Sequence, residues 1–186
     1  NNMAPNKSCS ATSNGRAWAG CVATATAQIM KYHEYPKTYN WNSMPLHYGS
    51  NETSRLMYDI GLAVGMDYGC DGSSAKIKHV ASALQNTFKY TSATYYDSYN
   101  HEMVKKEIIN NRPVILAGGR KAGWWIFSSY KDGHAWVCDG YKAGTIFSED
   151  CSQGWGFLYL RMNWGWGGDF DGWFAYNDWA VNGSTY

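Results

Sequence analysis

The hydrophobic periodicity of the chain changes near residue 113, and this change limits the fold more than any other feature. Residues 21–110 contain segments with apolar side chains at helical spacing, several of them ended by glycine or proline. From residue 114 the segments are short, rich in aromatic and β-branched residues, and separated by glycines. Segregated helices and strands predict an α+β fold. We therefore predict one domain over residues 1–186, with a mainly helical lobe at 1–112, a mainly β lobe at 113–186, and a cleft between them.

The clearest predicted helix covers residues 21–32, where Val22, Thr26 and Ile29 form one apolar stripe. Three weaker helices are predicted from their capping residues. They run from Thr53 or Ser54 to Val64 with Gly65 as the stop, from Ser73 or Ser74 to Phe88, and from Asn100 to near Asn110. Strands are predicted at residues 114–117, 134–139, 157–163 and 173–176, and the stretch before Gly20 is predicted to be irregular.

Composition excludes several classes of function. The 186 residues are 45% hydrophobic and 17% charged, which is typical of a globular protein. The net charge is +1 without a run of Lys or Arg, so nothing favours nucleic acid or a membrane surface as partner. The chain has no apolar stretch of membrane-spanning length, which predicts no membrane insertion. It begins with Asn and shows no signal peptide, so we expect a processed or trimmed chain.

The five cysteines are an odd number, so at least one thiol is unpaired within the chain. In an oxidising compartment we expect two disulfides and one reactive thiol, and four cysteines can pair in three ways. The alternative is a set of five buried free thiols in a reducing compartment. The cysteines other than Cys21 are Cys9, Cys70, Cys138 and Cys151.

Cys21 is the candidate nucleophile because it follows Gly20 and opens the clearest helix. The first peptide N–H groups of a helix have no partner within it, and the helix dipole places partial positive charge there. Both effects favour the thiolate, and the same N–H groups can bind an oxyanion that forms beside the sulfur. The alternative interpretation is a small buried apolar residue at a helix start.

His134 is the candidate base and Asn163 its candidate orienting residue. His134 begins one predicted strand and Asn163 ends another, so an antiparallel hairpin can pair residue 134 with residue 163. That register predicts an imidazole beside a carboxamide, with Trp136 and Cys138 on the same face as His134. The alternatives are a histidine bonded to backbone and a turn asparagine. No histidine has metal-ligand spacing with the cysteines, so we predict no metal and no cofactor.

Residues 163–168 (NWGWGG) combine glycines, which permit tight backbone turns, with two tryptophans. Trp164 is adjacent to Asn163 and could cover a hydrogen bond between Asn163 and His134. The alternative is a tight turn whose tryptophans pack in the core.

Several of these segments together resemble the streptopain-type, or C10, family of papain-like cysteine peptidases. The resemblance covers nearly the whole chain and is carried by long motifs around the Cys, His and Asn-Trp positions. The similar segments are residues 20–32 (GCVATATAQIMKY), 35–36 (YP), 39–42 (YNWN), 66–69 (MDYG), 72–75 (GSSA), 133–135 (GHA) and 163–168 (NWGWGG).

The resemblance implies a papain-like fold, in which the nucleophile helix packs against an antiparallel β lobe. It also implies secretion, synthesis with an inhibitory N-terminal prodomain that is absent here, and cleavage of proteins or peptides. By position, Cys21 is the nucleophile, His134 the base and Asn163 its orienting residue, while Trp164 shields that pair and lines the cleft. Substrate-binding positions carried over by the resemblance are Gly133, Ser73, Ser74 and Trp166.

The chain also departs from the family pattern. Papain-like enzymes often place an oxyanion-binding Gln six residues before the nucleophile, whereas position 15 here is Gly. Asn14 could substitute for it, or the N–H of Cys21 could act with another donor. We also expect a further closing strand beyond Tyr186 and more residues before Asn1.

These features predict a secreted or cell-surface cysteine endopeptidase that acts through a Cys21 thioester. A peptidoglycan amidase or endopeptidase fits less well, because such amidases usually have an Asp-Cys motif and a short span from Cys to His. A transglutaminase fits less well because it uses Asp where this chain has Asn163. An inactive peptidase homologue that serves as a binding module stays open, mainly because the Gln is missing.

Overall fold

The computed structural model describes residues 3–12, 14–46, 48–122 and 129–186, with side chains for residues 120–132 excepted. The chain forms two compact units, Asn1–Ser98 and Tyr99–Tyr186. Helices and antiparallel sheets are both present, which confirms the predicted α+β class. The division into lobes at 1–112 and 113–186, and the packing of the nucleophile helix against the β lobe, stay predictions.

The first unit begins with a short antiparallel hairpin, where irregular structure was predicted, and continues with helices. Helix α1 confirms the predicted helix at residues 21–32. Helix α2 begins earlier than predicted because Ser50 Oγ accepts a hydrogen bond from Thr53 N and caps it, and Gly65 ends it in the left-handed conformation. The elements are β1 (Asn6–Cys9), β2 (Gly15–Arg16), α1 (Cys21–His33), a 3₁₀ turn (Trp41–Ser43), α2 (Asn51–Val64), α3 (His79–Ser82) and a π-helical turn (Ala83–Thr87).

The predicted helix from Ser73 or Ser74 to Phe88 is wrong over its first part. The backbone N–H and C=O of Ser74 both pair with Asp67, so Ser74 belongs to a two-residue bridge and cannot cap a helix. Regular helix starts only at His79 and widens into the π-helical turn after Ser82.

Helix α1 buries one face in the core of its unit and contacts α2. Its small residues allow close packing, and the hydroxyl of the buried Thr26 donates to Val22 O at 2.7 Å, which satisfies the one polar group on that face. The buried residues of α1 are Val22, Ala23, Ala25, Thr26, Ala27, Ile29 and Met30.

Over its described residues, the second unit is a four-stranded antiparallel sheet with one helix and two short strands. Helix α4 was predicted from its cap, and Asn100 Oδ1 does accept a hydrogen bond from Met103 N. The sheet order is β3-β4-β5-β6, and β7 pairs with β8 in a small separate sheet. The elements are α4 (His101–Ile109), β3 (Val114–Ala122), β4 (Ser129–Phe147), β5 (Gly154–Asn163), β6 (Gly172–Ala175), β7 (Ala180–Val181) and β8 (Ser184–Thr185).

The predicted register of the β4–β5 hairpin is wrong. Asn163 pairs with Val137, not with His134, and the register shifts again between Cys138 and Gly140. The reason is the length of β4, which begins at Ser129 and so places His134 within the strand, not at its start. His134 pairs instead with Gly118 of β3. It lies three residues before Val137, the first residue of β4 that pairs with β5.

The core of the second unit lies on the face of β4 that carries Trp136 and Cys138, both fully buried. Alternation places these two side chains on one face, as predicted, and Cys138 pairs with Met162 across the hairpin. The buried cluster is Val104, Leu116, Trp136, Cys138, Leu160, Met162, Trp164, Trp179 and Val181.

The structure contains one disulfide among the described residues, between Cys9 and Cys70, so the prediction of two is wrong. Cys138 is buried in the core of the second unit, whereas Cys151 is exposed in the turn between β4 and β5. Cys21, Cys138 and Cys151 are free thiols. The alternative of five free thiols is also wrong.

Candidate active site

Cys21 is the first residue of α1 and is partly exposed. Gly20 before it has φ 86° and ψ 145°, a conformation that essentially only glycine adopts. A Cβ at Gly20 would also lie 2.9 Å from both Met66 Sδ and Ser73 O. Glycine is therefore required on two grounds at the position immediately before Cys21.

Ser73 fixes the segment that leads into α1. Its Oγ donates to Trp18 O at 2.6 Å and accepts from Gly69 N at 3.1 Å. The Trp18 indole adds a hydrogen bond to Cys70 O at 2.7 Å, beside the disulfide. The Ser73 hydroxyl is thus engaged within its own unit, while Ser74 is exposed. Their predicted contacts with substrate stay predictions.

Within the described residues, no side chain caps the N-terminus of α1 by a hydrogen bond. The first-turn peptide N–H groups therefore keep their capacity to bind a negatively charged oxygen beside Cys21. Asn14 lies in an exposed turn, where its Oδ1 accepts from Arg16 N at 3.2 Å. Its predicted role as an oxyanion donor stays a prediction.

His134 of β4 is held by a backbone carbonyl. Its Nε2 donates a hydrogen bond to Trp164 O at 2.8 Å. Because a carbonyl can only accept, the proton of the neutral ring lies on Nε2 and the lone pair lies on Nδ1. Burial lowers the pKa of His134, and the hydrogen bond to Trp164 O partly opposes that effect. The arrangement favours a neutral imidazole whose Nδ1 can accept a proton.

Asn163 is connected to His134 through a single peptide group. Asn163 Oδ1 accepts from Gly165 N at 3.0 Å, and the carbonyl of that same peptide, Trp164 O, accepts from His134. Hydrogen bonds at both ends of a peptide polarise it in the same direction, which strengthens each. Strand alternation puts Asn163 and Val137 on the face opposite to His134, so the predicted side-by-side pairing across the hairpin is wrong.

Aromatic rings surround the His134 imidazole. Trp166 stacks on it with ring centroids 4.7 Å apart and planes inclined by 27°. Trp164 and Trp136 lie farther away at 6.1 Å, and both are fully buried, whereas Trp166 is partly exposed. These three indole rings exclude water from the hydrogen bond between His134 and Trp164 O.

Three further residues near His134 were not predicted from the sequence. Gly118 pairs with His134 across β3 and β4, and Tyr186 lies with its ring centroid 6.0 Å from the imidazole. Asp171 Oδ1 accepts from Trp164 N at 2.8 Å. The available signal for Asp171 was an acidic residue three positions after Gly168, the last glycine of the NWGWGG segment. Gly133, which was predicted to bind substrate, is exposed beside His134.

Comparison with known proteins decides the family. The model of the peptidase C10 family matches residues 1–38 and 37–174. The chain belongs to the peptidase C10 family. The C10 match covers Cys21, His134, Asn163 and Trp164, which confirms the resemblance seen in the motifs and agrees with a papain-like fold.

Curated C10-type relatives are similar over most of this chain. Streptopain of Streptococcus pyogenes is 33% identical over 213 residues, which cover 91% of this chain and 48% of streptopain. The thiol protease/hemagglutinin PrtT of Porphyromonas gingivalis is 29% identical over 204 residues, which cover 89% of this chain and 21% of PrtT. The chain therefore spans about half the length of streptopain and about a fifth of PrtT.

Among the residues that the structure describes, no helix combines the length and apolar character that crossing a bilayer requires. Nor do three or more of the described His, Cys, Asp and Glu side chains group as metal ligands.

Proposed function

We propose that this chain is a secreted cysteine endopeptidase that hydrolyses protein or peptide substrates through a Cys21 thioester. The observation that carries the proposal is the hydrogen bond from His134 Nε2 to Trp164 O, in a chain of the C10 peptidase family. It leaves Nδ1 as the basic nitrogen of the ring, which is what a cysteine peptidase needs to take the thiol proton.

In the first half of the reaction, Nδ1 of His134 accepts the proton of Cys21, and the thiolate attacks the scissile carbonyl carbon. The carbonyl oxygen becomes an oxyanion held by the N–H of Cys21 at the start of α1. The imidazolium then protonates the leaving amine, the C–N bond breaks, and an acyl thioester remains on Cys21. Trp164 O and the polarised peptide stabilise the imidazolium while it carries the proton.

In the second half, His134 removes a proton from water as the water attacks the thioester carbonyl. The same N–H group holds the second oxyanion. The C–S bond then breaks, the acid product leaves, and the thiolate and imidazolium are regenerated. No cofactor takes part in this sequence.

The remaining site residues have supporting roles in this proposal. Asn14 is the candidate second oxyanion donor, in place of the missing Gln. Gly133 and Trp166 flank the imidazole and would form part of the cleft wall, while Ser73 and Ser74 would bind substrate backbone. The exposed Gly133 and the partly exposed Trp166 are consistent with such contacts.

The Cys9–Cys70 disulfide supports an extracellular location, because structural disulfides persist mainly in oxidising compartments. We include in the proposal an N-terminal prodomain, absent from this sequence, that inhibits the enzyme before processing. The partners are therefore protein or peptide substrates and the prodomain.

Casein hydrolysis by Cys21→Ser and Cys151→Ser variants tests the proposal. Both substitutions replace a free thiol by a hydroxyl, but Cys151 lies exposed in the turn between β4 and β5. We expect Cys21→Ser to lose activity by roughly 10⁴-fold or more and Cys151→Ser to keep it. Hydrolysis that survives in Cys21→Ser, or a wild-type chain that binds casein without cleaving it, would contradict the proposal and favour the binding module.

A further inference from the structure

The partly buried Asp171 makes a contact with the Trp164 backbone that the mechanism above does not use. Its Oδ1 accepts a hydrogen bond from Trp164 N at 2.8 Å, across seven residues of chain. Trp164 follows the last residue of β5, beyond the final ladder pairs Val137–Asn163 and Met162–Gly172. Its N–H therefore has no strand neighbour to bind.

A partner for this N–H is obligatory because Trp164 is fully buried. An unpaired backbone N–H in such a place is destabilising, because it has lost its hydrogen bonds to water and gained none in the protein. Asp171 can supply the acceptor reliably, since it immediately precedes β6, and Gly172 is held in the ladder opposite Met162. The turn between them is closed by two further bonds, from Asp169 N to Trp166 O and from Asp171 N to Gly168 O.

The backbone of Trp164 is thus fixed on both sides. Asp171 holds its N–H, and Asn163 Oδ1 holds the N–H of the following peptide, whose oxygen is Trp164 O. With both neighbouring peptides held, the carbonyl can point in only one direction, which is toward His134 Nε2 at 2.8 Å.

We propose that Asp171 is a positioning residue for His134: its carboxylate fixes the Trp164 backbone, and the Trp164 carbonyl in turn fixes the orientation and tautomer of the imidazole. The catalytic consequence rests on the proposed peptidase function. The structural consequence, a proton held on Nε2 of His134, does not.

The charge of Asp171 could act separately from its hydrogen bond. The neighbouring carboxyl is Asp139, whose Oδ2 binds Arg161 Nη1 at 3.1 Å and which interacts electrostatically with Asp171. Asp171→Asn removes the charge and keeps an acceptor oxygen, whereas Asp171→Ala removes both. Asp169→Ala is the matched control, because Asp169 is exposed on the same turn and contributes its backbone to the turn.

The first readout is the imidazole tautomer of His134, measured by long-range ¹H–¹⁵N NMR on ¹⁵N-histidine-labelled full chain at a pH where the ring is neutral. His134→Gln assigns the signal. We expect the Nε2–H form to dominate in wild type, Asp169→Ala and Asp171→Asn. In Asp171→Ala, we expect its population to fall by at least about twofold as the carbonyl loses its anchor. If Asp171→Ala does not fold, Asp171→Ser is measured in its place, with the same expected loss.

The second readout is peptide hydrolysis. We expect Asp171→Ala to lower kcat roughly 10- to 100-fold with little change in KM, because a misplaced base affects the chemical step. Asp171→Asn should recover activity to within about threefold of wild type. An unchanged tautomer in Asp171→Ala, or a loss in Asp171→Asn as large as in Asp171→Ala, would overturn the positioning role. If wild type lacks peptidase activity while the tautomer still depends on Asp171, only the proposed function fails.

Discussion

Nε2 of His134 donates to the carbonyl oxygen of Trp164 at 2.8 Å, across 30 residues of sequence. The acceptor is a backbone atom, whereas the sequence motif had suggested the Asn163 carboxamide. A backbone acceptor fixes the tautomer without ambiguity, because an amide side chain can rotate and present a donor, whereas a carbonyl cannot. The direction of the carbonyl then depends on the turn at residues 163–171, which would belong to the catalytic site under the proposed function.

The pH dependence of folding should report the burial of His134. Burial lowers the pKa of His134 in the folded state, so the unfolded chain binds a proton first as pH falls. The free energy of unfolding should therefore decrease between about pH 7.5 and pH 5.5, around the unfolded histidine pKa of about 6.5. His33 contributes in the same direction, since burial also lowers its pKa.

Guanidinium unfolding at several pH values, on wild type, His134→Gln and His33→Gln, measures this effect. Each substitution should reduce the change in the free energy of unfolding with pH, because it removes one of the two histidines that produce this change. A His134→Gln chain with the same pH slope as wild type would show that the imidazole is not desolvated in the folded state.

Gly20→Ala should destabilise the first unit more than Gly65→Ala does. Both glycines have positive φ, at 86° and 67°, but only at Gly20 does an added Cβ meet Met66 Sδ and Ser73 O at 2.9 Å. We expect a loss of about 1–2 kcal/mol for Gly65→Ala from conformation alone, and a larger loss for Gly20→Ala. Denaturant midpoints compare the two variants, and equal losses would mean that the loop beside Gly20 moves away freely.

The disulfide between Cys9 and Cys70 predicts how many thiols react before and after reduction. Unfolded but unreduced protein should contain three reactive thiols, rising to five after reduction, because Cys9 is bonded to Cys70. Reduction should also lower the free energy of unfolding by about 2–4 kcal/mol, given a closed loop of 61 residues. Titration with a chromogenic disulfide reagent gives the count, and one thiol before reduction would mean that a second disulfide exists.

Trp164 should contribute to stability as well as to the site. It is fully buried, so Trp164→Ala should cost about 3–5 kcal/mol, whereas Trp155→Ala, on a side chain 55% exposed, should cost within about 0.5 kcal/mol. Thermal or chemical unfolding of the two variants provides the measurement. A small loss in Trp164→Ala would indicate that the ring is not packed in the core.

Helices and their ends were predicted where apolar spacing and capping residues within a few positions determine them. Helix α1, the Gly65 stop of α2 and the Asn100 cap of α4 follow from periodicity and capping, which act within a few residues. The helix predicted from Ser73 failed because Ser74 pairs with Asp67, a contact that propensity does not encode. The C10 motifs identified the family, since they extend over most of the chain.

Contacts set by strand register could not be predicted in the same way. The hairpin register depends on where β4 begins and on a bulge between Cys138 and Gly140, neither of which has a clear signal. The predicted register differs by three residues from the observed one. It therefore placed Asn163 on the same face as His134 and gave no indication of the hydrogen bond from His134 to Trp164 O. The cysteine pairing could not be predicted either, because an odd number of cysteines shows only that at least one thiol is unpaired within the chain.

If His134 activates Cys21 as proposed, the epoxide inactivator E-64 should react selectively with the Cys21 thiol. The chain contains its own comparison, because Cys151 is also a free thiol and is exposed, whereas Cys21 is only partly exposed. We predict that E-64 modifies Cys21 alone in wild type and neither thiol in His134→Ala, while iodoacetamide still labels Cys151 in both. Labelling of Cys21 that persists unchanged in a folded His134→Ala chain, or no labelling of Cys21 in wild type, would show that His134 does not activate this thiol.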